Sequence, residues 1–469
     1  MRHERPHQQP VAGDGQSARR STITLVAGLS GFYAAALMMG ASILQTLSAG
    51  DGSSVGVYLS IVAGVFIGIA LYVAAVVITG CVATVIAGRL RQIATLRLLG
   101  ADSRTLRRDV CRSCGIAGLT GGAIGIVVGT LTADIARIWL VHRGTLPARA
   151  YASADVRSMF ALVAVVGCAA LAGYVGSRKV LEVNPAQAMT GVLDAHGTKR
   201  AGRVRAAFTV LLLGPGVALL ALAMKLGEQD SQAGFFVAFL GSVLAGSAVL
   251  IGASFIVPRL VALVGHLLGN DPAAQVARRN ATADPMRTTR ATVGLVVGVT
   301  LVTTFASGMK ALQDSVAGWD LSPADERHAQ QVLSTFSTVL ICIVVISSII
   351  AAVGFVSTMS LLVIQRRREI GLLRALGFTT RQVATMVTKE AVALGATAVL
   401  FGLLLGVTFG SVGAQSLVGS VNEGFVWGLP APVLAAIVLC AVALVLVAAL
   451  PPARRALRIT PVQALRVEA

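Results

Sequence analysis

The chain has 469 residues, 55% of them hydrophobic and 13% charged, and its 39 Lys and Arg against 21 Asp and Glu give a formal net charge of +18. A soluble protein of this length can bury a large core, but it does not string together many apolar runs of about 20 residues with so few charges, so a soluble globular enzyme is excluded. A basic balance alone admits nucleic-acid binding, but nearly all of this charge lies in blocks between apolar runs, as a membrane-side bias places it; no nucleic-acid partner is expected.

In chain order, residues 1–21 are polar, with Pro, Gly and two His, and read as a disordered cytoplasmic tail. Ten apolar spans follow, at about 22–47, 57–87, 112–140, 158–178, 206–226, 233–257, 289–309, 333–364, 388–417 and 430–450. The run from Thr22 is long enough to remain as a span and lacks a small-residue cleavage site after a short apolar core. Hydrocarbon cannot satisfy free backbone polar groups, so the spans are expected to be helices. Several exceed the bilayer thickness and should tilt or project into water. The expected fold is therefore an all-α polytopic membrane protein with about ten transmembrane helices and no large extracellular domain.

Ten spans put both termini on one side. The segments on that side (1–21, 88–112, 177–205, 258–290, 365–389 and 451–469) hold 32 of the 39 basic residues. Acidic residues divide almost evenly. Both termini are accordingly expected in the cytoplasm, in a plasma membrane. The opposite segments, 48–56, 141–157, 227–232, 310–332 and 418–429, are short; the mildly acidic 310–332 is the largest and reads as a solvated connector, with an external partner protein or a cationic ligand as the alternative.

A pattern recurs along the chain. Residues 89–106, RLRQIATLRLLGADSRTL, align with 366–383, RRREIGLLRALGFTTRQV, at an offset of 277. Gly118, Gly125 and Gly129 then meet Gly395, Gly402 and Gly406, and Asn-Pro-Ala-Gln-Ala at 184–188 meets Thr-Pro-Val-Gln-Ala at 460–464. The chain parses into a first four-span module at 22–191, a two-span insert at 200–265 and a second four-span module at 272–469. The first and seventh spans match only weakly. Both modules have the same parity, so the repeats are parallel.

No catalytic site, cofactor site or metal site is expected. None of the five Lys is followed by Ser or Thr, so no phosphate-cradling loop of the P-loop type is present. His3-Glu4-Arg5-Pro6-His7 matches HExxH by spacing, but Pro6 stands inside it in the polar tail, and Gly52-Ser53-Ser54-Val55-Gly56 matches GxSxG in a short external segment, so neither has the helix or the strand-to-helix turn its chemistry needs. Cys111 and Cys114, spaced as a redox or metal pair, lie on the reducing side without a second pair and read as bystanders. Asp134 and Arg137, one turn apart, can pair at the outer end of the third span.

In the second basic copy, Ile370, Leu373, Leu376 and Phe378 alternate with arginines at roughly helical spacing, and Gly377 follows as a helix stop. Such an amphipathic helix lies in the lipid interface or fills a groove on a partner. Two copies suit a partner with two equivalent grooves. Gly121, Gly125 and Gly129, and Gly402, Gly406 and Gly410, stand four apart and let helices approach closely.

The RRREIGLLRALGFTTRQV stretch, the Gly-rich span after it and the Arg-rich, Pro-x-Gln-Ala tail resemble the C-terminal permease domain of the FtsX-like permease family, membrane subunits of type VII ABC transporters. The resemblance covers about 333–469 and, less closely, 57–191. It implies a cytoplasmic ABC ATPase dimer that binds the ATP, and coupling through Arg91, Gln92, Arg97 and Gly100 in the first copy and Arg368, Glu369, Arg374 and Gly377 in the second. Gln92 stands where the family pattern expects an acid. Members usually carry a large external domain after the first span of a module; here 48–56 and 310–332 are short. The resemblance thus implies a permease that exports an amphiphilic, lipid-like substrate or transmits force across the membrane. The alternatives are a regulatory membrane protein controlling an external cell-wall enzyme or a sensor kinase, and a secondary carrier.

Overall fold

The computed structural model describes residues 102–142, 165–175, 195–229, 233–267, 285–317, 367–420 and 424–457 continuously, with scattered positions among 24–82, 162–163, 231, 269–279 and 337–356. Every regular element among the described residues is an α-helix. The principal ones are α1 (Ser103–His142), α2 (Ala195–Glu228), α3 (Ala233–Leu267), α4 (Pro285–Ala317), α5 (Arg367–Ala375), α6 (Thr380–Val418) and α7 (Ala431–Leu457). Shorter helical stretches include Val165–Val175.

Among the described residues, five helices are long and apolar enough to cross a membrane: Arg108–Trp139, Gly202–Glu228, Ala233–Leu267, Thr292–Ser315 and Thr380–Val418. They coincide with the spans expected at 112–140, 206–226, 233–257, 289–309 and 388–417. The span expected at 430–450 coincides with α7, whose described apolar part is Ala431–Val447. The spans at 22–47, 57–87 and 158–178 are described in part, while the tail, the 48–56 segment and nearly all of 333–364 lie outside the described residues. Several helices run past the expected span ends. Helix α1 begins at Ser103 and α6 at Thr380, before the expected 112 and 388, and α3 continues to Leu267, past 257. Helix α4 continues to Ala317, past the expected span end at residue 309, and Lys310 Nζ bonds Asp314 Oδ1 at 2.6 Å one turn on. The expected Asp134–Arg137 pair forms at 3.5 Å on α1.

The chain divides into two compact units: Met1–Ala35, Ala74–Leu131 and Asp155–Val192 make one, and Ala36–Val73, Thr132–Ala154 and Leu193–Ala469 the other. The first unit has a small-residue core of Ala27, Ile78, Val82, Val110, Cys114, Ala117, Val165, Ala169 and Ala172. Within it α1 is pressed from two sides. A Cβ on Gly121 would strike the Thr24 carbonyl, one on Gly125 the Gly28 carbonyl, and one on Gly129 would lie 2.8 Å from Ala35 Cβ. On another side a Cβ on Gly118 would lie 2.6 Å from Ala169 Cβ, and one on Gly122 2.9 Å from Val165 Cγ1.

The second unit repeats this arrangement. A Cβ on Gly402 would lie 2.8 Å from Val299 Cβ, one on Gly406 2.8 Å from the Thr300 carbonyl oxygen, and one on Gly410 2.8 Å from Gly308 N. Contacting numbers rise together along both helices, so α4 and α6 run parallel. Gly395 meets Val445 on α7, which runs antiparallel to α6. Gly118–Ala169 and Gly395–Val445 are related by the same 276–277 offset as the sequence repeat. The surrounding core joins Leu295, Val296 and Val299 of α4, Leu394, Ala398 and Val399 of α6, Val445 of α7, and Ala253, Val257 and Val261 of α3.

Beyond the glycine row, the segment before α7 is tied onto α4 and α6. Ser307 Oγ donates to the Gly428 carbonyl at 2.5 Å, Gly428 N donates to Ser411 Oγ at 3.1 Å, and Gln415 Nε2 donates to the Gly424 carbonyl at 3.2 Å. Ser307 and Ser411 are completely buried. A network of this kind satisfies polar groups that would otherwise cost free energy in an apolar setting, and it fixes the loop in one place.

Candidate functional site

The second basic segment folds as an elbow in which a nine-residue helix, α5, turns into α6. Glu369 stands in the first turn of α5 and Arg374 in the last, each complementing the partial charge of its helix end. The helix ends at a left-handed glycine: Gly377 has φ +98°. Gly377 N donates to the Arg374 carbonyl at 3.1 Å, and Phe378 N donates to the Leu373 carbonyl at 3.0 Å. These two bonds are the Schellman pattern, which consumes carbonyls that a helix end leaves open. No atom lies within 4 Å of a Cβ built on Gly377, so glycine is required there by its backbone conformation and not by space.

Two residues later α6 begins with a reciprocal cap. Thr379 N donates to Gln382 Oε1 at 2.8 Å, and Gln382 N donates to Thr379 Oγ1 at 3.2 Å. Phe378 and Val383 flank this capping box and share one apolar cluster, with Val383 fully buried. The cluster also holds Ile370, Met386 and Val387, with Val276, Leu373 and Phe378 packed against it. Thr379→Ala is expected to cost about 1 kcal/mol of helix-start stability. Hydrogen exchange of the Gln382 amide should then quicken about fivefold, while Thr379→Ser leaves it unchanged.

The apolar residues of the elbow do not form the one face that their spacing suggested. Ile370 is 2% exposed, whereas Leu372 is 46% and Leu376 80% exposed. At 100° per residue, Leu372 and Leu376 stand one turn apart, about 110° round from the mean direction of Ile370 and Leu373, and Leu376 follows the last residue of α5. Glu369, Arg381 and Gln382 are also exposed, and Arg374 Nη2 reaches Thr380 Oγ1 at 3.5 Å. The elbow is thus bonded and packed inwardly while it presents two leucines amid charged groups outwardly. Its described residues include no nucleophile paired with a base, and no group of three His, Cys, Asp or Glu able to hold a metal occurs among the described residues.

Of the eight residues carried by the resemblance, Glu369, Arg374 and Gly377 are brought together in this elbow. Arg368 lies on α5, with its side chain outside the described residues. Arg91, Gln92, Arg97 and Gly100 all lie outside them. Asp102, which aligns with Thr379, stands immediately before α1 as Thr379 stands before α6. The six row glycines lie in the helix contacts given above. Sequence reasoning missed three participants. Thr379 and Gln382 carry a legible capping-box spacing; Val276 gives no local signal, since its partners lie about a hundred residues away.

Two comparisons bear on this geometry. The model of the family described as FtsX-like permease C-terminal matches the chain twice, at residues 64–185 and 341–461. The chain is also 31% identical over 168 residues to an uncharacterized ABC transporter permease of Methanocaldococcus jannaschii. That alignment takes in 34% of this chain and 41% of the relative, so the chain spans about two fifths of its length.

Proposed function

Because the chain belongs to the FtsX-like permease family, we propose that it is the membrane subunit of an ABC transporter whose ATP is bound and hydrolysed by a separate cytoplasmic ATPase dimer. The observation that carries this reading is the elbow: a rigidly capped turn with Leu372 and Leu376 exposed beside Arg374 and Arg381. An exposed apolar anchor ringed by polar groups is the composition of a docking site at which a few residues carry most of the binding energy. The second family match, over 64–185, contains the first basic copy, and a dimeric partner offers two equivalent grooves for the two copies.

Movement of the partner would reach the membrane through α6, which continues from the elbow after only four residues and is locked to α4 by the glycine row. Helices in such close contact move as bodies and do not deform continuously. The subunit therefore works by transmitting force across the membrane or by exporting an amphiphile, from a plasma membrane with both termini in the cytoplasm. The positive-inside distribution of the basic segments supports that orientation.

The test is co-purification. The tagged protein in mild detergent should retain an ATPase, and Arg97→Glu with Arg374→Glu should reduce its recovery about tenfold or more, since each reversal replaces attraction by like-charge repulsion. A monodisperse parent that brings down no ATPase would overturn the reading and leave the basic segments as lipid anchors.

A further inference from the structure

The α2–α3 pair carries a second basic feature, remote in sequence from the elbow. The helices are antiparallel and close: Gly216 abuts Ala245, Gly241 abuts Leu220, and Gly252 abuts Thr209. Extending that register by two turns puts Arg259 level with Gly202 and Arg203. Depth places them further. About 20 residues of helix cross the hydrocarbon; counted from Ala233 at the start of α3, the core ends near Ala253, and Arg259 stands about 9 Å beyond. Counted back from Glu228 at the end of α2, it ends near Phe208, with Arg205 and Arg203 about 5 and 8 Å beyond. All three arginines thus reach the headgroup layer on one side.

Their surroundings are apolar and cationic. Arg259 lies in an exposed stripe between Ile256, 42% exposed, and Leu263, 66% exposed, and its Nη1 donates to the Phe255 carbonyl of its own helix at 3.0 Å. Arg205 crosses between the helices to donate to Ser254 Oγ at 3.3 Å. Pro258 inside α3 has no amide to donate to the Ser254 carbonyl one turn earlier. Arg203 and Phe208 are exposed. By sequence, α3 contains no Asp or Glu, and α2 contains only Glu228, at its far end.

We propose that this end of the α2–α3 pair binds an anionic phospholipid, with the headgroup phosphate between Arg205 and Arg259, Arg203 adding positive charge from another face of α2 at the same depth, and an acyl chain along Phe208 and Ile256. Guanidinium forks suit a phosphate, and basic pockets between spanning helices on the anionic leaflet select such headgroups. A free phosphate ion would gain nothing from the exposed apolar residues that flank the arginines on both helices, which is why a lipid is the occupant. The proposal rests on the membrane-spanning reading and is independent of the ATPase.

The test is native mass spectrometry of the delipidated full-length protein titrated with phosphatidylglycerol or phosphatidylcholine, and with inorganic phosphate alone. The parent should take up phosphatidylglycerol in preference, and Arg205→Gln with Arg259→Gln should weaken that preference roughly tenfold or more. Equal uptake of both lipids by the parent overturns the proposal, as does an undiminished preference in the variant. Phosphate adducts formed as readily as lipid adducts, and lost in the variant, overturn the lipid assignment. If the double variant aggregates, Arg259→Gln alone should show a smaller loss, and no loss in it is equally fatal. The titration contains no ATPase, so its failure leaves the coupling reading standing, and failure of the pull-down leaves this one.

Discussion

Leu376→Glu is expected to leave the protein folded and monodisperse while removing most of the co-purifying ATPase. Leu376 is 80% exposed at the end of α5, and the clustered interior of the elbow does not include it. A carboxylate there loses little packing, so stability should change by less than about 0.5 kcal/mol. Burying a leucine in a partner groove contributes about 1.5–3 kcal/mol, which corresponds to roughly a tenfold to hundredfold loss of affinity when it is replaced by a charge. Leu376→Met should retain most of the binding, because volume and apolar character are kept. Ile370→Glu is the contrasting variant: it places a charge at a 2% exposed position and should disorder the elbow itself. Undiminished ATPase recovery by Leu376→Glu would show that the exposed leucines are not the anchor.

Gly125→Leu and Gly406→Leu should each force a helix pair apart, with an apparent Tm in detergent lower by about 5 °C or more. At Gly125 the first added carbon already meets the Gly28 carbonyl, and at Gly406 it lies 2.8 Å from the Thr300 carbonyl oxygen and Thr303 Cγ2. Backbone cannot swing aside as a side-chain end can, so the helices must separate and lose contacts along their length. Each glycine costs about 1 kcal/mol of helix propensity relative to alanine. The close approach must outweigh that cost for the row to be favourable. Gly294 on α4 provides the control: nothing lies within 4 Å of its added Cβ, so Gly294→Ala should be neutral or slightly stabilising. If the leucine variants melt like the parent, the row is not a packing seam.

The candidate site is partly legible in the sequence. The stop at Gly377 follows from a glycine after an amphipathic run, and the helix indeed ends there with φ +98°. The division of the apolar residues did not follow. An alternation of leucines and arginines over nine residues does not say which leucines pack inward, because that depends on where α6 turns back and on Val276 arriving from the start of the second module. The glycine rows were visible as spacing, but spacing names no partner.

The sequence by itself determined the class of the molecule, its helical spans and its internal duplication. Those properties rest on local composition and on recurrence: an apolar run must be helical in hydrocarbon whatever surrounds it, and a repeat is readable by alignment. Only the tertiary structure decided that each glycine row faces the first helix of its own repeat, Gly125 against Gly28 and Gly406 against Thr300. Those first helices match poorly in sequence because close packing against glycine asks only for a small or backbone surface, which many residues supply. It also decided that Ser307 and Ser411, about a hundred residues apart, hold the Gly428 backbone, and that Leu376 faces outward. Contacts of that range are set by how whole helices seat against one another, and no window of sequence contains both partners.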